Sequence, residues 1–69
     1  MFKIKYLDGQ EKREISFKSA ADFVADLQLE VPSLQDYYKV VSVTDNGQEN
    51  TDFQGQSIAE LFNYYLLQN

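Results

Sequence analysis

The chain carries the same two local signals twice, at a spacing of 38 residues. A turn sequence, Gly9-Gln10-Glu11, recurs as Gly47-Gln48-Glu49. A serine followed three positions later by an acidic residue, at Ser19 and again at Ser57, is typical of a helix N-terminus, where the serine caps free backbone N–H groups. Because a hairpin turn precedes a helix start in both halves, the sequence predicts two copies of one structural unit, a β-hairpin followed by a helix.

The first hairpin follows from the alternation of side chains. Residues 2–6 alternate apolar and basic side chains, as a half-buried strand does. A second strand is expected over residues 12–17, joined by Gly9-Gln10 as a two-residue loop, and glycine at the first loop position favours a type II′ turn. This loop sets the predicted register: Phe2 opposite Phe17, Ile4 opposite Ile15, and Lys5 opposite Glu14.

The first helix is expected over residues 20–29. Its apolar residues recur at helical spacing on one side, while Asp22 and Asp26 fall on the opposite, solvated side. Asp22 is also placed to complete a capping box with Ser19. Pro32 prevents the helix from continuing, so a connector follows it.

The second half repeats this order. A strand rich in β-branched residues is expected over residues 38–44, and Asp45-Asn46-Gly47 is the strongest hairpin signal in the chain. Residues 49–53 have little apolar pattern, which predicts a short or edge strand. A second helix is expected over residues 58–67, with one apolar stripe.

The resulting order ββαββα predicts an α+β fold of two ββα pseudo-repeats. Each hairpin has one apolar face and each helix one apolar stripe, which favours a four-stranded, mostly antiparallel sheet with both helices on one face. Residues 1–69 are expected to form a single domain, with the first unit over 1–31 and the second over 38–69. The order of the strands within the sheet is left open.

The absence of two residue types argues against enzyme chemistry. The chain has no histidine and no cysteine, so it lacks the usual side chain for proton transfer near neutral pH, a thiol nucleophile and the usual zinc ligands. The acidic turn around Gly47 does not fit a calcium loop, because Phe53 would take the position that requires a glutamate. We therefore expect no catalytic residue, no metal site and no cofactor.

Charge and hydropathy favour a cytoplasmic protein. The net charge of −5 repels phosphate backbones, so no nucleic-acid partner is expected. The N-terminal residues alternate like a strand and contain no long apolar run, so neither a signal peptide nor a membrane anchor is expected.

A protein contact is expected on the second helix. Tyr64 lies off the apolar stripe, where the matching position of the first helix holds Asp26, and Leu67 also lies off the stripe. An aromatic side chain where a charge is expected is typical of a partner contact. The favoured function is a non-enzymatic protein–protein interaction module, or a homodimer, that uses Tyr64 and Leu67. The alternative for Tyr64 is a ring folded along its own helix end.

Tyr37 is the third candidate contact residue. Tyr37 and Tyr38 enter the third strand together, and neighbouring strand residues point to opposite faces, so one ring is expected to be buried and the other exposed. The sequence does not decide which of the two is buried. The exposed ring either joins the partner contact or covers the connector.

The acidic composition leaves a second function open. An acidic decoy could occupy the nucleic-acid site of a basic protein if its carboxylates were spaced along one face like phosphates, for example continuing from Asp22 and Asp26. The basic residues are concentrated in the first half, with Lys3 and Lys5 on the outer face of the first strand. We interpret these lysines as a charged solvent face that discourages edge pairing.

Four short segments also carry a family resemblance: Tyr6-Leu7-Asp8, Phe17-Lys18-Ser19, Asp36-Tyr37-Tyr38-Lys39-Val40 and Asn46-Gly47. On these segments the chain resembles a short, uncharacterised domain-of-unknown-function family of lactic-acid bacteria, chiefly streptococci and their relatives. The resemblance runs over most of the chain, and its motifs are turns, a helix entry and a strand entry. It implies a small stand-alone cytoplasmic protein without catalytic residues.

Overall fold

A computed structural model describes residues 1–68 and confirms the element order ββαββα. The strands form one antiparallel sheet in the order β2-β1-β3-β4, so β1 lies at its centre beside β3. The six elements are β1 (Phe2–Asp8), β2 (Glu11–Phe17), α1 (Ala20–Leu27), β3 (Lys39–Asp45), β4 (Gln48–Asn50) and α2 (Ile58–Leu66). The first helix ends two residues earlier than predicted and the second ends one residue earlier.

The predicted register of the first hairpin is confirmed. Ile4 pairs with Ile15 and Lys5 with Glu14, across the two-residue loop that Gly9 begins with a φ of +66°. The second hairpin closes through Asn46 and Gly47, both with positive φ, as a type I′ turn requires. The two turns therefore hold their strands in register by different backbone geometries.

The prediction of a short edge strand is confirmed for β4, but its expected extent to Phe53 is wrong. After Asn50 the chain turns, because the Asp52 N–H donates to the Asn50 side chain at 2.8 Å. The chain then returns to β3, where the Gly55 N–H donates to the carbonyl oxygen of Val40 at 2.9 Å. Phe53 thus lies in a turn outside β4, and it is buried.

Both helices pack on the face of the sheet that carries Phe2. The Phe2 ring lies 5.6 Å from the Phe23 ring of α1 and 5.2 Å from the Tyr65 ring of α2, measured between centroids. The core that they enclose consists of eleven buried apolar residues: Phe2, Ile4, Tyr6, Phe23, Val24, Leu34, Val40, Val43, Phe53, Ile58 and Leu61.

The connector between α1 and β3 contributes to this core, which the sequence pattern did not predict. Leu34 is only 1% exposed. Asp26, predicted on the solvated side of α1, is only partly exposed, and its two carboxylate oxygens accept hydrogen bonds from the Ser33 N–H and hydroxyl, each at 3.0 Å. These two bonds fold the connector back onto α1 and bring Leu34 to the core.

The two helix starts differ in the hydrogen bonds that the acidic side chain accepts. At α2 the capping box is complete, with the Glu60 N–H donating to Ser57 and the Ser57 N–H donating to Glu60. At α1 the Asp22 N–H donates to Ser19 at 3.3 Å. The return bond to Asp22 is absent in the described chain, since aspartate is one methylene shorter than glutamate. Within residues 1–68, neither helix has the length and hydropathy needed to cross a membrane.

Candidate interaction surfaces

Tyr64 lies on the flank of α2 and packs against Phe53. The two ring centroids are 4.8 Å apart with the planes at 68°. The Tyr65 ring lies 5.1 Å from Tyr64 and 6.3 Å from Phe53, so the three rings form one cluster. Tyr64 is 43% exposed, whereas Phe53 is 7% exposed. Tyr64 therefore covers Phe53 with part of its ring and presents the rest to solvent.

Leu67 caps the C-terminal end of α2 and is 84% exposed. Its backbone N–H donates to the carbonyl oxygen of Asn63 at 3.1 Å, which continues the helical path of the chain by one residue. Leu66, beside it, is 39% exposed. We call Tyr64, Leu66 and Leu67 together the α2 end patch.

Tyr37 is the exposed member of the tyrosine pair and lies at the other end of α2. Tyr38 is half-buried and stacks on Tyr6, with centroids 5.2 Å apart and the planes at 16°. The Ile58 N–H donates to the carbonyl oxygen of Tyr38, which places the pair beside the first residue of α2. At 1.5 Å per residue, the nine residues of α2 span about 13 Å. The structure therefore brings Tyr64 and Leu67 together and sets Tyr37 apart from them.

The face of the sheet opposite the helices carries most of the basic side chains. Strand alternation puts Lys3 and Lys5 of β1 on this face, and the register adds the residues opposite them on β2, β3 and β4. Its charged members, which define what we call the outer sheet face, are Lys3, Lys5, Lys12, Lys39, Glu14 and Glu49. Four of the chain's six basic residues, but only two of its eleven acidic residues, thus lie here.

A shallow depression of about 500 Å³ lies in the outer sheet face. Its lining includes Val41 and Ser42 of β3, and Lys5 and Lys12 from the neighbouring strands. Val41 is the extra residue of a β-bulge, because Lys5 pairs with Ser42 while the next residue of β1 pairs with Val40. Glu49, Thr51 and Gln54 complete the lining on the side of β4 and the turn that follows it.

A family model described as a domain of unknown function, DUF4649, matches residues 2–69. The chain belongs to the DUF4649 family. Searches of the curated proteins and of the solved structures return no match. Since the family description names no activity, the function of the DUF4649 domain has to be argued from its own surfaces.

Among residues 1–68, burial and neighbouring charged groups displace the pKa values of Tyr65, Tyr38 and Arg13. Burial, followed by the charges of Asp45 and Tyr64, raises the pKa of Tyr65 above 10.0. Burial also raises the pKa of Tyr38, with Asp8 as the next cause. The pKa of Arg13 is raised because its guanidinium donates a hydrogen bond to Glu11. Tyr38 and Tyr65 are therefore neutral near pH 7.

The carboxylates of the DUF4649 domain are spread over both hairpins, both helices and the connector. Asp8 and Glu11 flank the first turn, Asp22 and Asp26 belong to α1, and Glu60 caps α2. Among residues 1–68, no three acidic side chains come close enough together to hold a metal ion. A nucleic-acid mimic would require such carboxylates to lie in one row along a single face.

Proposed function

We propose that the DUF4649 domain is a small, non-enzymatic protein–protein interaction module that pairs with a second copy of itself through the α2 end patch. The observation that carries the proposal is the 84% exposure of Leu67 beside the half-exposed Tyr64 and Leu66. Single exposed apolar residues are common on protein surfaces. Leu67, however, lies about 60° from Tyr64 around the helix axis and about 100° from Leu66 on its other side, so the three residues together cover the end of α2 and association would remove them from water.

The charge distribution supports a second copy as the occupant. Two chains with a net charge of −5 repel each other, so contact between copies is favoured at surfaces that add no further negative charge. Residues 61–69 contain no charged side chain, and the α2 end patch lies within this segment. A two-fold symmetric contact would place the patch of one copy against the same patch of the other.

The non-enzymatic part of the proposal is supported by the composition. A chain without histidine and cysteine lacks the groups that most often transfer protons or attack substrates near neutral pH. We also propose that the protein is cytoplasmic. The family resemblance implies, in addition, that it occurs in streptococci and their relatives.

The test is sedimentation equilibrium at increasing protein concentration, with Leu67→Lys as the variant. We expect the unaltered chain to form dimers and Leu67→Lys to remain monomeric, because a dimer would bury the new ammonium group. Val31→Lys is the matched control: Val31 lies in the connector, is also 84% exposed, and gives the same change in charge. It should dimerise like the unaltered chain.

The charge change makes the result easy to interpret. Either lysine brings the net charge closer to zero, so weaker association of Leu67→Lys cannot come from stronger repulsion between copies. An unaltered chain that is monomeric at every concentration, or equal loss of dimer in both variants, would overturn the proposal.

A further inference from the structure

The outer sheet face differs in charge from the rest of the domain. Its four lysines and two glutamates give an excess of two positive charges, within a chain whose net charge is −5. Segregation of this kind creates a local positive potential that attracts an acidic partner and orients it during approach. We propose that the outer sheet face binds an extended, acidic segment of another protein, which lies along the depression between Lys5 and the turn after β4.

Three of the four lysines are available for such a contact. Within residues 1–68, Lys5, Lys12 and Lys39 form no ion pair. Lys3 contacts Glu14, but the N–O distance is 4.0 Å and both side chains are about half exposed, so this pair is weak. An incoming carboxylate can therefore bind these ammonium groups without first breaking a strong ion pair.

The spacing of the lysines fits an extended peptide. Lys5 and Lys12, which both line the depression, are diagonal neighbours on β1 and β2, because Lys5 pairs with Glu14 and Lys12 lies two residues before Glu14. Diagonal neighbours of this kind are about 7–8 Å apart. Alternate residues of an extended acidic peptide have a similar spacing. Lys12 and Lys39 pair with Leu7 from opposite sides, so they continue the basic surface across β2, β1 and β3.

The composition of the face favours a protein segment over a nucleic acid. Proteins that bind single-stranded nucleic acids combine a positive groove with aromatic rings on which bases stack. No outward position of the four strands holds an aromatic residue. Tyr6 lines the depression, but its ring stacks on Tyr38 and is only 8% exposed, so it leaves little ring surface for a base to stack on. Glu14 and Glu49 also line the depression, where they would repel a continuous phosphate backbone but leave room for separate carboxylates between the lysines.

The test is an NMR titration of the chain with a peptide of ten glutamates at low salt. It uses the Leu67→Lys variant throughout, so that the result does not depend on pairing through the α2 end patch. We expect amide shifts confined to the outer strands and the turn over residues 51–54, and we expect the affinity to fall as salt is added. Lys5→Gln should weaken binding about two- to fivefold, the effect expected of one exposed charge pair.

Lys18→Gln is the matched control, because Lys18 lies between β2 and α1, outside the outer sheet face, and the substitution removes the same charge. It should bind the peptide as the parent does. Thermal unfolding of both variants confirms that each is folded. Equal losses in the two variants, shifts centred on the helices, or no shift at all would overturn the proposal. Tighter binding of a ten-nucleotide oligothymidine at the same residues would overturn it in favour of a nucleic-acid ligand.

Discussion

The ring of Tyr64 packs edge-on against the ring of Phe53, with centroids 4.8 Å apart. This contact joins the exposed flank of α2 to the turn after β4, so Tyr64 shields a core residue from solvent and also forms part of the surface. Substitution of Tyr64 would change the stability of the fold together with any contact that the ring makes. Leu67, which is far more exposed, is the residue whose substitution isolates association.

We expect Tyr64→Ala to lower the free energy of unfolding by about 1–2 kcal/mol, because an aromatic pair contributes about 0.5–1.5 kcal/mol beyond the apolar area it buries. Leu67→Ala should change it by less than about 0.5 kcal/mol, as is typical of exposed positions. Urea denaturation at low protein concentration measures both without a contribution from association. Equal losses of unfolding free energy in the two variants would mean that the contact between Tyr64 and Phe53 does not stabilise the fold.

The two helix caps provide a second comparison within the same chain. Ser57→Ala removes the hydroxyl that accepts from the Glu60 N–H and donates to the Glu60 carboxylate, and should cost about 1 kcal/mol. Ser19→Ala removes one bond of 3.3 Å and should cost less. Urea denaturation of the two variants checks the order. Asp22→Glu would lengthen the side chain at α1 and should raise stability if the missing return bond limits that cap. A larger loss at Ser19 than at Ser57 would contradict this explanation.

The hairpins could be predicted from the sequence because their determinants are local. The alternation over residues 2–6 and the turn at Gly9 together allow only one register that pairs apolar residues on one face. The burial of Leu34 and Phe53 could not be predicted in the same way. Both residues lie outside the periodic segments, and each reaches the core because of how the neighbouring chain folds back.

The same distinction applies to the two surfaces. Helical spacing was enough to place Tyr64 and Leu67 off the apolar stripe, but not to identify Phe53 as the neighbour of Tyr64. The outer sheet face depends on the strand order, which the pattern left open. Lys12 and Lys39 come to lie on either side of Leu7 only because β1 occupies the position between β2 and β3.

A double-mutant cycle should show that Asp26 and Ser33 stabilise the fold through the hydrogen bonds between them. Asp26→Ala and Ser33→Ala should each lower the free energy of unfolding by about 1 kcal/mol, which is below the usual contribution of a bond to a charged group because the site is partly solvated. The double variant should lose much less than the sum of the two, since either change breaks the hydroxyl–carboxylate bond. Additive losses in urea denaturation would mean that the two residues do not stabilise the connector together.

The stability of the domain should fall at alkaline pH, and Tyr65 should contribute to the fall. Burial raises the pKa of Tyr65 in the folded chain above its ordinary value of 10.0, and the charge of Asp45 adds to this. The unfolded chain therefore releases this proton at a lower pH than the folded chain does. The stability that Tyr65 contributes is fully present below about pH 10 and is lost as the pH rises through the pKa of the folded state. Tyr38, whose pKa is raised by burial and by Asp8, acts in the same direction.

The urea concentration at the midpoint of unfolding, measured from about pH 8 to pH 11, would reveal this dependence, since the range spans the ordinary tyrosine pKa. Tyr65→Phe removes the titrating hydroxyl and should make the decline shallower, whatever its effect at neutral pH. Tyr37→Phe is the matched control, because it removes the same group from a ring that is 67% exposed. A decline in Tyr65→Phe as steep as that of the unaltered chain would show that the burial of Tyr65 does not favour the neutral phenol.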